Sequence, residues 1–390
     1  MRGGISMFGS RLTLFDLFGF KVRIDASWLL LAALIVWSLA VGYFPFVAPG
    51  FAEPTYWAMG LAGLGGLALS IVVHELAHSL VARRFNLPIT GITLFIFGGV
   101  AEMSREPSSP KGEFFMAIAG PLTSVAIAVG AYGIAEGAVA MGTAVHNPAV
   151  IVFRYLAMLN GILAAFNMIP AFPLDGGRVL RSVLWAWRKD VLWATRMAAG
   201  AGSLCGFALM ALGVWSALTG ALIAGIWWFF VGLFVRTAAV QAVQQQMARR
   251  LLTGRAVSRL MRSQPVTVPP DASLSELVEN YVYRHTYKSF PVVAGDRLVG
   301  CVTLDGVRAV PREEWPVRRV ADVMESCAGR TIPETADAAD ALARMQGTGL
   351  SRLMVTRGGA LVGVLSLRDL MHFLAVKGDL EGQGTPHPGL

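Results

Sequence analysis

The pentapeptide His74-Glu75-Leu76-Ala77-His78 sets two imidazoles four residues apart with a carboxylate beside the first. On a helix of about 3.6 residues per turn, positions i and i+4 share a face, so both rings can reach one Zn²⁺. That arrangement suits a zinc hydrolase: the imidazoles hold the metal, and Glu75 takes a proton from water activated by it. The pentapeptide lies in an apolar run from about Trp57 to Ala82 that has no Lys, Arg or Asp and is long enough to cross a bilayer. Short motifs also arise by chance, and a buried histidine is commonly just a hydrogen-bonded core residue. In hydrocarbon the balance changes, because a charged group at a helix centre costs roughly 2.5 to 3.5 kcal/mol and calls for an ion, a partner or a cavity.

A catalytic zinc takes three protein ligands and a water, so one ligand is still to be found. The best candidate is Asp175, in the string Asn167-Met-Ile-Pro170-Ala-Phe-Pro173-Leu-Asp175-Gly176-Gly177-Arg178. Asn160 and Asn167 lie about two turns apart on one face of an apolar segment; Pro170 and Pro173 interrupt it, and Gly176 and Gly177 permit tight backbone geometry around the carboxylate. Asp175 alone would read as an N-cap for the basic amphipathic stretch Arg178 to Arg188. Its pairing with the histidines at matching membrane depth favours a ligand.

The chain that must position these groups has 390 residues, 55% hydrophobic and only 15% charged, too apolar for an ordinary soluble protein and too long for one domain. Apolar runs predict six membrane spans, at about 27–47, 57–82, 114–135, 148–169, 191–216 and 220–240. No Lys or Arg occurs between Arg23 and Arg83, between Lys111 and Arg154, or between Arg196 and Arg236, so the three loops on one side carry no positive charge. Both termini are therefore expected in the cytoplasm, in a multi-pass protein of the cell membrane. The net charge of +8 follows from this bias and from contact with anionic lipid, and no nucleic acid is needed to explain it. The N-terminus has no short apolar core followed by a small-residue cleavage site, so no cleaved signal peptide is expected. Cys205, Cys301 and Cys327 form no paired pattern, and neither a disulfide framework nor a cysteine metal site is expected. Arg154, the basic residue well inside a span, can snorkel, pair with a carboxylate or line a cavity.

With both motifs in view, the chain resembles the site-2 protease family of intramembrane zinc metalloproteases, marked by HExxH and a later NxxPxxPLDGG string. His74, Glu75 and His78, then Asn167, Pro170, Pro173, Leu174, Asp175, Gly176 and Gly177, match both in full. Phe97-Gly98-Gly99-Val100 resembles the family's membrane-associated β-hairpin, and Ala119-Gly120-Pro121 the start of its next helix. The resemblance implies zinc on His74, His78 and Asp175, Glu75 as base, and Asn167 as a contact to substrate or transition state. Asn167 could equally serve helix–helix hydrogen bonding. The implied substrate, a transmembrane segment of another protein, must unwind locally, because its helical backbone groups are already satisfied. Residues 88–104, β-branched and aromatic with Gly98 and Gly99 as punctuation, could offer a strand edge to an extended peptide, or form a surface hairpin with no such role.

Residues 257–376 repeat at an offset of about 63: Val257-Ser-Arg-Leu-Met261 recurs as Val320-Ala-Asp-Val-Met324, and Leu298-Val-Gly-Cys-Val302 as Leu361-Val-Gly-Val-Leu365. The two halves resemble tandem CBS domains, soluble α/β modules that often bind adenine nucleotides and regulate an attached domain. The resemblance implies nucleotide contacts (ATP, ADP or AMP) from a Ser/Thr-x-x-Asp string, complete at Ser366 and Asp369; the first half has Thr303 but Gly306 in place of Asp. A pair that is purely structural or dimerising fits equally, and paired modules make a homodimer plausible.

The expected architecture is thus a polytopic α-helical membrane domain (1–245) with six transmembrane helices and a membrane-associated β-hairpin, a linker (246–256), a tandem CBS pair (257–310 and 320–376) and a disordered tail (377–390). The expected function is cleavage of membrane-anchored proteins within the bilayer. A CBS-regulated transporter or channel would leave both motifs unexplained, and an inactive relative sits poorly with an intact ligand set and base.

Overall fold

The computed structural model describes residues 11–380, apart from 18, 88, 96–97, 104–106 and 286. The chain divides into two compact units, Met1–Gln246 and Met247–Leu390.

The first unit opens with strands β1 (Arg11–Leu17) and β2 (Phe20–Asp25). Helix α1 (Ala26–Ser38) continues through a wide turn, Leu39–Tyr43, into α2 (Phe44–Val47). Helix α3 (Glu53–Arg84) leads to strands β3 (Ile89–Phe95) and β4 (Gly98–Met103). Helices α4 (Pro110–Ala140), α5 (Pro148–Asn167), α6 (Asp175–Arg188), α7 (Val191–Leu218) and α8 (Leu222–Leu252) follow. Side-chain caps set the starts: Asp25 accepts from Ser27 N, Ser109 from Gly112 N, Asn147 from Ala149 N, and Asp190 from Leu192 N and Trp193 N. Proline in the first turn of α3, α4 and α5 costs no hydrogen bond there.

Among the described residues, six segments are long and apolar enough to cross a membrane: Ala26–Val47, Glu53–Arg84, Pro110–Ala140, Pro148–Asn167, Val191–Leu218 and Leu222–Leu252. Several overrun the expected spans, because good helix formers continue past the apolar stretch; 31 residues rise about 46 Å, against a hydrocarbon core of about 30 Å. Large apolar side chains face outward along them, including Leu30, Leu34 and Trp37 on α1, Leu204 and Trp215 on α7, and Ile223 on α8. In lipid such surfaces need no cover. Arg154 of α5 pairs with Glu136 of α4, with Nη2 2.8 Å from Oε1, which decides among its three options in favour of a carboxylate partner.

The hairpin expected at 88–104 is half of a larger structure, a four-stranded sheet in the order β1-β2-β3-β4, with β2 and β3 parallel and the outer pairs antiparallel. Residues 20–22 show why β2 belongs there: Phe20 and Val22 are buried and Lys21 between them is exposed, the period-2 pattern of a half-buried strand. Ala119-Gly120-Pro121 lies in the interior of α4, nine residues past its start.

The second unit carries a five-stranded sheet in the order β5-β6-β9-β8-β7, from Ser289–Ala294, Arg297–Thr303, Ala360–Ser366, Arg352–Arg357 and Thr331–Pro333. The 63-residue repeat is visible in backbone pairing: Arg262 pairs with Val364 as Glu325 pairs with Cys301. These pairings exchange the opening segments of the two halves. Val257 and Met261 pack into the core built on Ile332, Leu342, Leu353 and Leu365, whereas Val320 and Met324 pack into the core of Leu274, Phe290, Val292 and Val302. Two expected boundaries move. Residues 246–252, expected as linker, continue α8, because Leu252 is buried in the second core; the last helix, Leu367–Leu380, takes in the first residues of the expected tail, of which 381–390 lie outside the described residues. Cys301 and Cys327 form a disulfide, contrary to the expectation of free thiols. The Cys301–Glu325 pairing brings the two Cα atoms to 5.6 Å, a proximity no local spacing reveals. Cys205 is free.

Candidate metal centre

Helix α3 presents His74 and His78 on one buried face, and their Nε2 atoms lie 3.2 Å apart. Oδ2 of Asp175, the first residue of α6, is 3.2 Å from each. All three side chains are buried, and they are the one group of three such residues with convergent donor atoms among the described residues. Donors 2.0–2.1 Å from a tetrahedral ion stand about 3.3 Å apart, so this triangle fits Zn²⁺. Two imidazole nitrogens and a carboxylate oxygen at such spacing are a donor set that a cation satisfies.

The other side of the space is formed by α4. Met116, Gly120 and Ser124 recur every four residues and so share a helical face. His78 Nδ1 donates to the Met116 carbonyl at 2.6 Å, and Ser124 Oγ lies 2.8 Å from His74 Nδ1. Between them, a methyl on Gly120 would overlap Nε2 of both histidines. Only glycine leaves the ion's volume open.

Asp175 is delivered by the turn after α5. Ala171 N donates to Ile169 O, Leu174 N to Ala171 O, and Phe172 N to Ala198 O of α7, and the Phe172–Pro173 peptide is cis. The turn folds back on the first residues of α6 so closely that any side chain at Gly176 or Gly177 would overlap the backbone of Met168–Ile169 or Ala171–Phe172. Behind it, Arg181 of α6 forms a buried ion pair with Glu113 of α4, Nε to Oε1 2.7 Å, and its guanidinium lies 5.2 Å from the Phe172 ring centroid. A cavity of about 310 Å³ opens beside this turn, with Phe172, Pro173, Arg178, Gln241 and Gln245 in its wall.

Glu75 is half-buried on the neighbouring face of α3 and packs against β4, where a Cβ on Gly99 would come within 2.8 Å of its Cγ. Strand β4 is the last in its sheet. Gly98 begins that strand, and Phe97 lies outside the described residues. Asn167 is half-buried at the end of α5, just before the Met168 carbonyl that packs on Gly176. Not foreseen from the sequence were Gly120, Ser124, the Met116 carbonyl and the Glu113–Arg181 pair. The four-residue spacing on α4 was available as a signal for the first three, but the register of α4 against α3 was not.

In the C-terminal unit, Thr303 caps a short helix by accepting from Gly306 N at 3.2 Å, and Ser366 does the same for Asp369 N at 3.2 Å. Asp369 is further engaged by Arg262, Nε to Oδ1 3.1 Å. Partial burial pushes the Asp369 carboxyl up, but hydrogen bonds from Ser366 and Arg262 outweigh it and hold it below the usual carboxylate range.

The chain is similar to known proteins over most of its length. Peptidase family M50 matches residues 62–140 and 133–213, and the CBS domain matches 257–313 and 317–376. A Mycobacterium tuberculosis protein named "Putative zinc metalloprotease Rip3" is 34% identical over 364 residues, covering 92% of this chain and 91% of that one. "Zinc metalloprotease MJ0392" of Methanocaldococcus jannaschii is 34% identical over 310 residues, covering 80% and 84%. The solved structure of a site-2 protease from the same archaeon aligns with a TM-score of 0.40 at 29% identity, over 60% of this chain and 95% of that one. With sequence similarity along nearly its whole length and a triangle of donor atoms that fits a metal ion, the chain belongs to peptidase family M50, the site-2 proteases, as a zinc metalloprotease with a C-terminal pair of CBS domains.

Proposed function

We propose that the protein cleaves transmembrane segments of membrane-anchored proteins, with His74, His78 and Asp175 as zinc ligands and Glu75 as general base. The observation that carries this reading is the buried triangle of donor atoms, each 3.2 Å from the others, with Glu75 beside it facing β4. Zinc, when bound, supplies Lewis-acid activation of water and polarises the scissile carbonyl. Glu75 accepts the proton of the attacking water on its carboxylate and then gives it to the leaving amine nitrogen. Gly98 and Gly99 keep the strand beside Glu75 free of side chains, so an unwound substrate can add along the outer edge of β4 as a further strand. Asn167, at the end of α5, is the proposed donor to the developing oxyanion.

The absence of Lys and Arg from the loops at 48–52, 141–147 and 219–221 supports cytoplasmic termini in the cell membrane, with cleavage products released on that side. Ser366 and Asp369 are the proposed contacts for an adenine nucleotide, Thr303 being the weaker half-site, and the CBS pair is the proposed dimerisation element. The test is zinc content and cleavage of a single-span substrate co-reconstituted in vesicles. Wild type should hold one zinc per chain and cleave; Glu75→Gln should keep zinc and lose cleavage; Asp175→Asn should lose both. Undiminished cleavage by Glu75→Gln rejects the assignment.

A further inference from the structure

We infer that Ser124 is a positioning residue of the metal centre: its hydroxyl oxygen accepts from Nδ1–H of His74 and thereby keeps the His74 Nε2 lone pair directed at zinc. The inference rests on the ligand set proposed above and concerns a residue outside both motifs.

The two histidines can be compared. Nδ1 of His78 faces the Met116 carbonyl, which can only accept, so Nδ1 carries the proton and Nε2 of the neutral ring carries the lone pair. For His74 the partner is a hydroxyl, which both donates and accepts, at 2.8 Å from Nδ1. Nε2 of His74 points at His78 Nε2 and Asp175 Oδ2, the two atoms with which it would share an ion. A lone pair on Nε2 requires the proton on Nδ1, and Ser124 Oγ is then the acceptor. Its own hydroxyl proton can turn to a backbone carbonyl of the preceding turn, as helical serines commonly do.

The placement is specific. Ser124 is fully buried, Gly120 lies one turn before it against both Nε2 atoms, and Met116 one turn earlier still. Helix α4 thus carries one acceptor for each ring, eight residues apart, with the open volume for the ion midway. Removing the hydroxyl would leave a buried ring N–H without its acceptor and free the ring to turn. Outer partners of this kind typically contribute 10- to 100-fold to metal affinity.

The test uses the full chain in detergent: zinc affinity by chelator competition for wild type, Ser124→Ala and Ser124→Thr, with helix content and thermal midpoint as controls, and visible spectra of the cobalt-substituted proteins. The hydroxyl role predicts zinc binding about 10- to 100-fold weaker in Ser124→Ala, with an altered cobalt spectrum, and near wild type in Ser124→Thr. A packing role predicts the reverse order, because alanine is smaller than serine and threonine adds a methyl to a fully buried position. Ser124→Ala within twofold of wild type, or Ser124→Thr weaker than Ser124→Ala, overturns the inference while leaving the zinc reading intact. A well-folded wild type without zinc affinity removes both.

Discussion

Gly120 stands so close to His78 that any side chain on it would occupy the volume enclosed by the two imidazoles and Asp175. A residue with no functional group therefore decides whether an ion can enter.

Gly120→Ala consequently tests the geometry without touching a donor atom. Alanine favours the helix by about 1 kcal/mol over glycine, so helix content should be maintained, while zinc affinity falls by about 100-fold, the upper end of the losses seen when a metal site's surroundings are changed. Metal analysis and circular dichroism on the same sample read both, and stoichiometric zinc in the variant would contradict the assembled site.

The Glu113–Arg181 pair is buried, with Glu113 fully enclosed. Removing one partner strands a charge, so Arg181→Met should destabilise by about 3 to 5 kcal/mol, whereas the double variant Glu113→Leu, Arg181→Met should recover most of it. Thermal unfolding in detergent measures the cycle. Additive losses would show that the pair is not coupled.

With Cys301 and Cys327 joined, one of the three cysteines should react with an alkylating agent in the unfolded, unreduced chain, and three after reduction. Closing a loop across a separation of 26 residues restricts the unfolded chain by about 3.5 kcal/mol in the chain-entropy estimate. Reduction should therefore speed hydrogen exchange first at 297–303 and 325–327. Three reactive thiols before reduction would show that the bond is not held in the isolated protein.

The Asp369 carboxyl has a folded value below its unfolded one, so the stability it contributes is complete above the unfolded value, near pH 4, and is lost as pH falls through the lowered folded value. Asp369→Asn should abolish that acid-dependent loss and, under the nucleotide reading, weaken ATP binding at neutral pH. Thermal midpoints of both proteins between pH 7 and 3, with ATP titration at pH 7, check the two effects separately.

The six spans were legible because lipid demands long apolar runs, and the three convergent donors because they lie on short stretches of chain: His74 and His78 within one helix, Asp175 at a proline-and-glycine turn. Their chemistry constrains the local sequence. What was not legible depends on distant register. Nothing near Ser124 says that it faces His74, fifty residues earlier, and nothing near Arg154 names Glu136. The β2 strand was readable in its alternation but sits just before an apolar run that draws the eye as membrane. The disulfide and the exchanged segments of the second unit follow from a pairing between repeats; the repeat was evident and its wiring was not.

That wiring constrains the order of assembly during synthesis. Residues 257–262 emerge from the ribosome just behind the last membrane helix, yet their partners include Leu353, Val364 and Leu365. At typical translation rates of 5–20 residues per second, the hundred or so intervening residues impose a wait of roughly 5 to 20 s. Val257 and Met261 spend that interval as an unpartnered apolar segment. The first half of the soluble unit likewise waits for Val320 and Met324 to complete its own core. A chain truncated after residue 310 would therefore leave both cores open, and the smallest piece able to close them runs from the end of α8 through the last helix.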